Sequence, residues 1–154
     1  MKQRIYVDTS VFGGMFDIEF QAETSLFFDM VNSGEIICLY SDITENELVN
    51  APERVKYFFE NLTCEQKQKV PITPEAFALA KNYVDENVVG QTSFDDCVHI
   101  ATATVNRADM LVSWNFKHIV NVYRIKNYNS INLKLGYQII NIHSPKELVG
   151  YEKQ

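Results

Sequence analysis

No apolar stretch in this chain approaches the ~20 residues a helix needs to cross a bilayer; Ile36-Ile37-Cys38-Leu39-Tyr40 is among the longest. A membrane span is therefore not expected. Lys2 and Arg4 precede only Ile5-Tyr6-Val7 before Asp8 interrupts, too short for the apolar region of a secretory signal, so a cytoplasmic protein is expected. Cysteine is scarce: Cys38, Cys64 and Cys97 form an odd set with no CxxC pair, which indicates neither a disulfide framework nor a zinc site but reduced, mostly buried thiols. An excess of basic residues is also missing. With 14 Lys and Arg against 20 Asp and Glu, the net charge of −6 lacks the positive surface of a generic nucleic-acid binder. Repeats, low-complexity tracts and linkers are absent, so the 154 residues, 1–154, are expected to form one domain with room for a full core.

What is present is ordinary in amount and uneven in distribution. A hydrophobic fraction of 46% with 22% charged residues suits a globular protein. From Asp17 to Glu60 ten acidic residues face two basic ones, Arg54 and Lys56. From Arg107 to Lys134 five basic residues (Arg107, Lys117, Arg124, Lys126, Lys134) face Asp109 alone. Such halves suit a site that meets phosphates through metal ions while the basic half steers the polyanion; chance asymmetry of a solvated surface is the alternative.

Along the chain, strands and helices alternate. Arg4 to Val7 reads as a strand running into Asp8-Thr9-Ser10, a helix-cap sequence. Phe20 to Asn32 reads as a helix closed by Gly34, and Ile36 to Tyr40 as a second strand. Ser41 to Leu48 is a capped helix start, and Pro52 to Leu62 another short helix. Lys69 to Ile72 is a short strand or link. Pro74 to Asn87 is a helix with Phe77, Ala80, Tyr83 and Val84 as its apolar stripe. The stretch from Thr92 to His118 organises the rest: a helix from Phe94 to Arg107 opened by Asp95 and Asp96, then a strand, Asp109 to Ser113, closed by Trp114-Asn115. Phe116 to Leu133 mixes helix and polar loop, and Tyr137 to Ile142 is the expected last strand. The alternation implies an α/β fold, a three-layer α/β/α sandwich on a mostly parallel sheet.

In such a sheet Asp8, Glu47, Asp96 and Asn115 all fall at the carboxyl edge, where ligands bind. Carboxylates gathered without Lys or Arg repel one another and call for cations; hard oxygen ligands favour Mg²⁺ or Mn²⁺, and phosphodiester hydrolysis fits that arrangement. Thr9, Ser10, Asp95 and Ser113 are placed to hold the carboxylates or metal-bound waters. Plainer readings stand beside these. Asp8 is a helix cap or a ligand, Glu47 reads equally as a solvated helix residue, and Ser93-x-x-Asp96 is also a capping box with Asp95 beside it at the positive end of a helix. His99 and His118 stay outside the catalytic set, because a lone histidine near a helix start is more often packed or exposed.

With IYVDTSVF, SDITENEL, FDDCVHIATA and LVSWNF in this order, nearly the whole chain resembles the PIN domain family of metal-dependent ribonucleases, in particular the toxins of type II toxin–antitoxin pairs. By that likeness Asp8, Glu47 and Asp96 match the acidic metal ligands. Family members commonly carry an acid where this chain has Asn115, an amide that can hydrogen-bond a metal water but brings no charge. The resemblance implies endonucleolytic cleavage of RNA leaving a 5′-phosphate, a small antitoxin covering the site with an Arg or Lys among the acids, and homodimers. A haloacid-dehalogenase-type hydrolase would want a second Asp where Ser10 stands, and a receiver domain an acidic pair by the first strand and a late Lys. The stronger rival is a PIN-like module that binds RNA or a protein without cutting.

Overall fold

A computed structural model of the chain describes residues 2–86 and 93–152. Its strands are β1 (Gln3–Val7), β2 (Ile36–Tyr40), β3 (Lys67–Lys69), β4 (Met110–Val112) and β5 (Ile142–His143). They form one sheet in the order β3-β2-β1-β4-β5, every pair parallel. The helices are α1 (Thr9–Gly14), α2 (Gln21–Asn32), α3 (Asp42–Leu48), α4 (Glu53–Asn61), α5 (Pro74–Asp85), α6 (Phe94–Val105), α7 (Val122–Lys134) and α8 (Pro145–Glu152).

Residues of β1 alternate between two cores, as a pleated strand covered on both faces requires. Tyr6 packs with Leu39, Leu111, Leu79, Tyr83 and Ile100 on one side of the sheet. Ile5 and Val7 pack with Cys38, Val112, Phe12, Phe27 and Phe59 on the other. This is the expected α/β/α sandwich, and the sheet is parallel throughout. Among the described residues no helix is long and apolar enough to cross a membrane. Cys38 and Cys97 are buried thiols, whereas Cys64 is exposed.

The strand order reverses between β1 and β4. The chain steps outward from β1 to β2 and β3, then returns to the other side of β1. The carboxyl ends of β1 and β4, at Val7 and Val112, therefore lie at the reversal of strand order, the site-forming position of open α/β sheets.

Several elements differ from expectation for identifiable reasons. In α5 the buried stripe is Ala76, Leu79, Ala80 and Tyr83, while Phe77 and Val84 are more than 40% exposed. Ala80 and Tyr83 are thus buried as expected, and Ala76 and Leu79 complete the face, in a helix that packs on α6 with its Ala101 and Ala103. The expected end of α5 at Asn87 and the start of the next segment at Thr92 lie outside the described residues. β3 precedes the expected Lys69 to Ile72, since Val70 makes the last ladder bond, to the Tyr40 carbonyl, and Pro71 has no N–H to offer. The last strand begins only at Ile142. Ile140 is instead held by the Asn129 side chain, whose Oδ1 accepts from its N–H and whose Nδ2 donates to its carbonyl, so an amide on α7 replaces a strand partner.

Candidate metal centre

Asp8 follows β1 directly and is the N-cap residue of α1, where a carboxylate ordinarily caps the helix. Its side chain makes no capping bond. Oδ2 instead accepts from Ser10 Oγ at 2.6 Å and from Ser113 Oγ at 2.8 Å, one hydroxyl from each side of the reversal. Ser10 Oγ also takes the Trp114 N–H at 3.0 Å, and Ser113 Oγ the Asn115 N–H at 2.9 Å, so the loop after β4 is tied to the loop after β1 through this one carboxylate. Asp8 is 5% exposed, and its Oδ1 stands 3.7 Å from His99 Nε2.

Glu47 comes from α3, whose start is fixed by the reciprocal Ser41 and Thr44 capping box. Two of its acidic neighbours are engaged elsewhere: Lys69 on β3 pairs with Asp42 and Glu45. Glu47 Oε1 accepts from Thr9 Oγ1 at 2.8 Å and meets His99 Nε2 at 2.5 Å. Burial pushes the Glu47 carboxyl up, but the His99 hydrogen bond and charge and the Thr9 hydroxyl outweigh it, and the net direction is down.

His99, on α6 one turn beyond Asp96, lies at the centre of this arrangement although sequence reasoning left it out. It is fully buried. Nε2 reaches Glu47 and stands 3.7 Å from Asp8 Oδ1, and Nδ1 is 2.6 Å from the Tyr6 hydroxyl, which is itself 2.8 Å from Ser41 Oγ. Burial acts to lower its pKa; Tyr6, Glu47 and Asp8 outweigh that and raise it to about 10. With both ring nitrogens protonated, Nδ1 donates to Tyr6 and Nε2 to Glu47, which satisfies every polar atom of the chain from Ser41 to Thr9. Ligand atoms of Asp8, Glu47 and His99 lie within 4.8 Å of one another.

Asp96 opens α6 behind the Ser93 cap, whose Oγ accepts its backbone N–H at 3.2 Å. Burial raises the Asp96 carboxyl, and the charges of Asp8 and Glu47 raise it further, to about 6 against opposing effects of Ser93 and His99. The three expected acids are thus near enough to repel one another. No Lys or Arg ion pair reaches any of them among the described residues, a donor set suited to a hard divalent cation.

The remaining expected residues divide. Thr9, Ser10 and Ser113 hold the acids directly. Asp95 is exposed, and among the described hydrogen bonds none joins it to them. Asn115 sits in the turn after β4 with Oδ1 accepting the His118 N–H at 3.0 Å. Its oxygen closes that turn, leaving its amide N–H groups as the polar atoms it can direct elsewhere.

No protein-family model and no curated protein matches the sequence. Solved structures do match. FitAcB from Neisseria gonorrhoeae superposes with a TM-score of 0.58 at 13% identity, over 92% of this chain and 97% of that one. VapBC2 from Rickettsia felis, bound to a DNA fragment from their promoter, gives 0.57 at 10% identity over 92% and 98%. VapC20 from Mycobacterium tuberculosis, a Sarcin-Ricin loop cleaving toxin, gives 0.52 at 15% identity over 70% and 86%. At such identities the likeness is one of architecture: in fold, this chain resembles the PIN-domain toxins of the VapC and FitB kind.

Proposed function

We propose that this protein is a metal-dependent endoribonuclease hydrolysing RNA phosphodiester bonds, acting as the toxin of a type II toxin–antitoxin pair. One observation carries the reading: Asp8, locked through Oδ2 by Ser10 and Ser113, has a ligand atom within 4.8 Å of one on Glu47 and raises the Asp96 carboxyl by its charge, with no Lys or Arg ion-paired to any of the three acids among the described residues. Asp8, Glu47 and Asp96 would hold Mg²⁺ or Mn²⁺, which when bound supplies Lewis acidity toward the phosphoryl oxygen and a water of lowered pKa.

The chain's own contribution is preorganisation. Ser10 and Ser113 prevent the Asp8 carboxylate from turning away, and Thr9 and His99 do the same for Glu47 through Oε1. Asn115 offers amide N–H groups rather than a fourth charge, toward a phosphate oxygen or a water. Fixing charged groups before the reaction avoids reorganisation when charge develops. The partners in this reading are RNA, a small antitoxin that inserts a cation among the acids, and a second copy of the chain. The VapBC2 and FitAB structures, both solved on DNA fragments, support the toxin–antitoxin context by likeness of fold.

A non-catalytic PIN-like module is the second reading, and His99 favours it, since an imidazolium between Glu47 and Asp8 already offsets charge that a cation would otherwise balance. Purified protein is expected to cut single-stranded or loop RNA with Mn²⁺ or Mg²⁺, to stop in chelator, and to lose the activity in Asp8→Asn. Cleavage that survives this substitution, or RNA binding unaffected by chelator without any cutting, refutes the hydrolase.

A further inference from the structure

Beside the acids, the segment leaving β4 combines exposed rings with cations. Trp114 is nearly buried and stacks on Phe20 at 4.3 Å between ring centroids, while its backbone N–H holds the Ser10 hydroxyl that fixes Asp8. Phe116 packs on this pair, 5.9 Å from Trp114 and 6.4 Å from Phe20, yet remains 48% exposed. Tyr123, in the first turn of α7, is 80% exposed. Its position is fixed, because Asn121 Oδ1 accepts the N–H groups of both Tyr123 and Arg124. Lys117 follows Phe116 and is exposed. Arg124 lies close enough to α6 for its charge to act on Cys97, the neighbour of Asp96, and Lys117 and Arg124 both act on His118. The segment is therefore tied to the acids through Trp114, whose N–H holds the Ser10 hydroxyl that donates to Asp8.

We propose that Phe116 to Arg124 is a track that feeds an unpaired RNA strand to the acidic centre, with Phe116 and Tyr123 stacking bases and Lys117 meeting a flanking phosphate. This rests on the ribonuclease reading above and names its substrate class. Rings interleaved with cations are what single-stranded nucleic acid requires, since every base has a face to stack and every linkage a charge to meet. Duplex RNA hides those faces.

The test is binding, in chelator, of a labelled oligouridylate of about ten nucleotides, read by anisotropy and by fluorescence of Trp114, the only tryptophan. Phe116→Ala is expected to weaken binding about tenfold, Tyr123→Ala severalfold, and Phe116→Tyr little. An abasic site opposite the ring should erase the Phe116→Ala difference. Lys117→Ala should lower the salt slope by about 1. Tyr123 is too exposed for its truncation to threaten folding. Parent-like binding in both Phe116→Ala and Tyr123→Ala, or a preference for duplex, overturns the track. So does self-association lost in Tyr123→Ala at unchanged RNA affinity, which assigns the face to a second copy of the chain. Protein that binds through Phe116 but never cuts with Mn²⁺ keeps the track and ends the hydrolase reading; Asp8-dependent cutting indifferent to both ring substitutions does the reverse.

Discussion

His99 Nε2 lies 2.5 Å from Glu47 Oε1, so a buried imidazole on α6 holds the acid presented by α3. Folding raises the His99 pKa from 6.5 to about 10, against the effect of burial and through Tyr6, Glu47 and Asp8. A basic group raised by folding stabilises fully below its unfolded value, and that contribution is lost as pH climbs through the folded one. The melting temperature of metal-free protein is therefore expected to fall between pH ~6.5 and ~10, and the fall should flatten in His99→Gln. An unchanged slope in that variant would show that other groups carry it.

Asp96 gives a second pH dependence of the same sign in a lower window. Burial first, then Asp8 and Glu47, raise it from 3.8 to about 6, so the native state keeps its proton longer than the unfolded chain and stability declines between those values as pH rises. In chelator at pH 7, Asp96→Asn should stabilise the protein by about 1 kcal/mol, a figure discounted for solvent screening of a partly exposed group. Denaturant melts measure it, and destabilisation would contradict the repulsion described.

A divalent cation binding the native state alone stabilises it by mass action, about 2.7 kcal/mol at a hundredfold excess over Kd. Thermal melts with Mn²⁺ should shift upward in the parent and not in Asp8→Asn. Equal shifts in both would place the ion elsewhere.

Ser113→Ala removes a donor to Asp8 Oδ2 and the acceptor of the Asn115 N–H. The expected loss is about 1–2 kcal/mol of stability, with RNA cleavage reduced further than RNA binding, because Asp8 is then held by Ser10 alone. Equal loss of both activities would indicate collapse of the loop instead.

Gly14→Ala tests the link between α1 and the loop after β4. A Cβ at Gly14 would stand 2.7 Å from Thr24 Oγ1 and 2.8 Å from Trp114 Nε1, the partners of a 2.9 Å hydrogen bond. Destabilisation of about 1–3 kcal/mol is expected, together with a shift in Trp114 emission; neutral behaviour would show that the ring has room to move.

The elements themselves were legible because each rests on local chemistry: β-branched and aromatic runs for the strands, Ser41, Thr73 and Ser93 for helix starts, Pro74 at the first turn of α5. The stripe of α5 was legible only in part: Ala80 and Tyr83 are buried as expected, but Ala76 and Leu79 complete the face in place of Phe77 and Val84. His99 was not legible. Every residue from Cys97 to Thr104 is buried, so no polar side remains to show which way the ring points. Its one local sign was the three-residue spacing from Asp96, which puts both on one helix face.

By itself the sequence determined the alternation of strands and helices and the placing of Asp8 after a strand and Asp96 at a helix start, because caps, turns and apolar runs act over a few residues, whereas Glu47 lies in the last turn of its helix. Only the tertiary structure decided which acids meet. Lys69 draws off Asp42 and Glu45 and leaves Glu47, Asp95 is exposed while Asp96 is partly buried and feels the charge of Asp8, and His99 is brought between Glu47 and Asp8 from far along the chain. Distances between side chains on different elements follow from how a parallel sheet stacks its helices, and no local pattern encodes them.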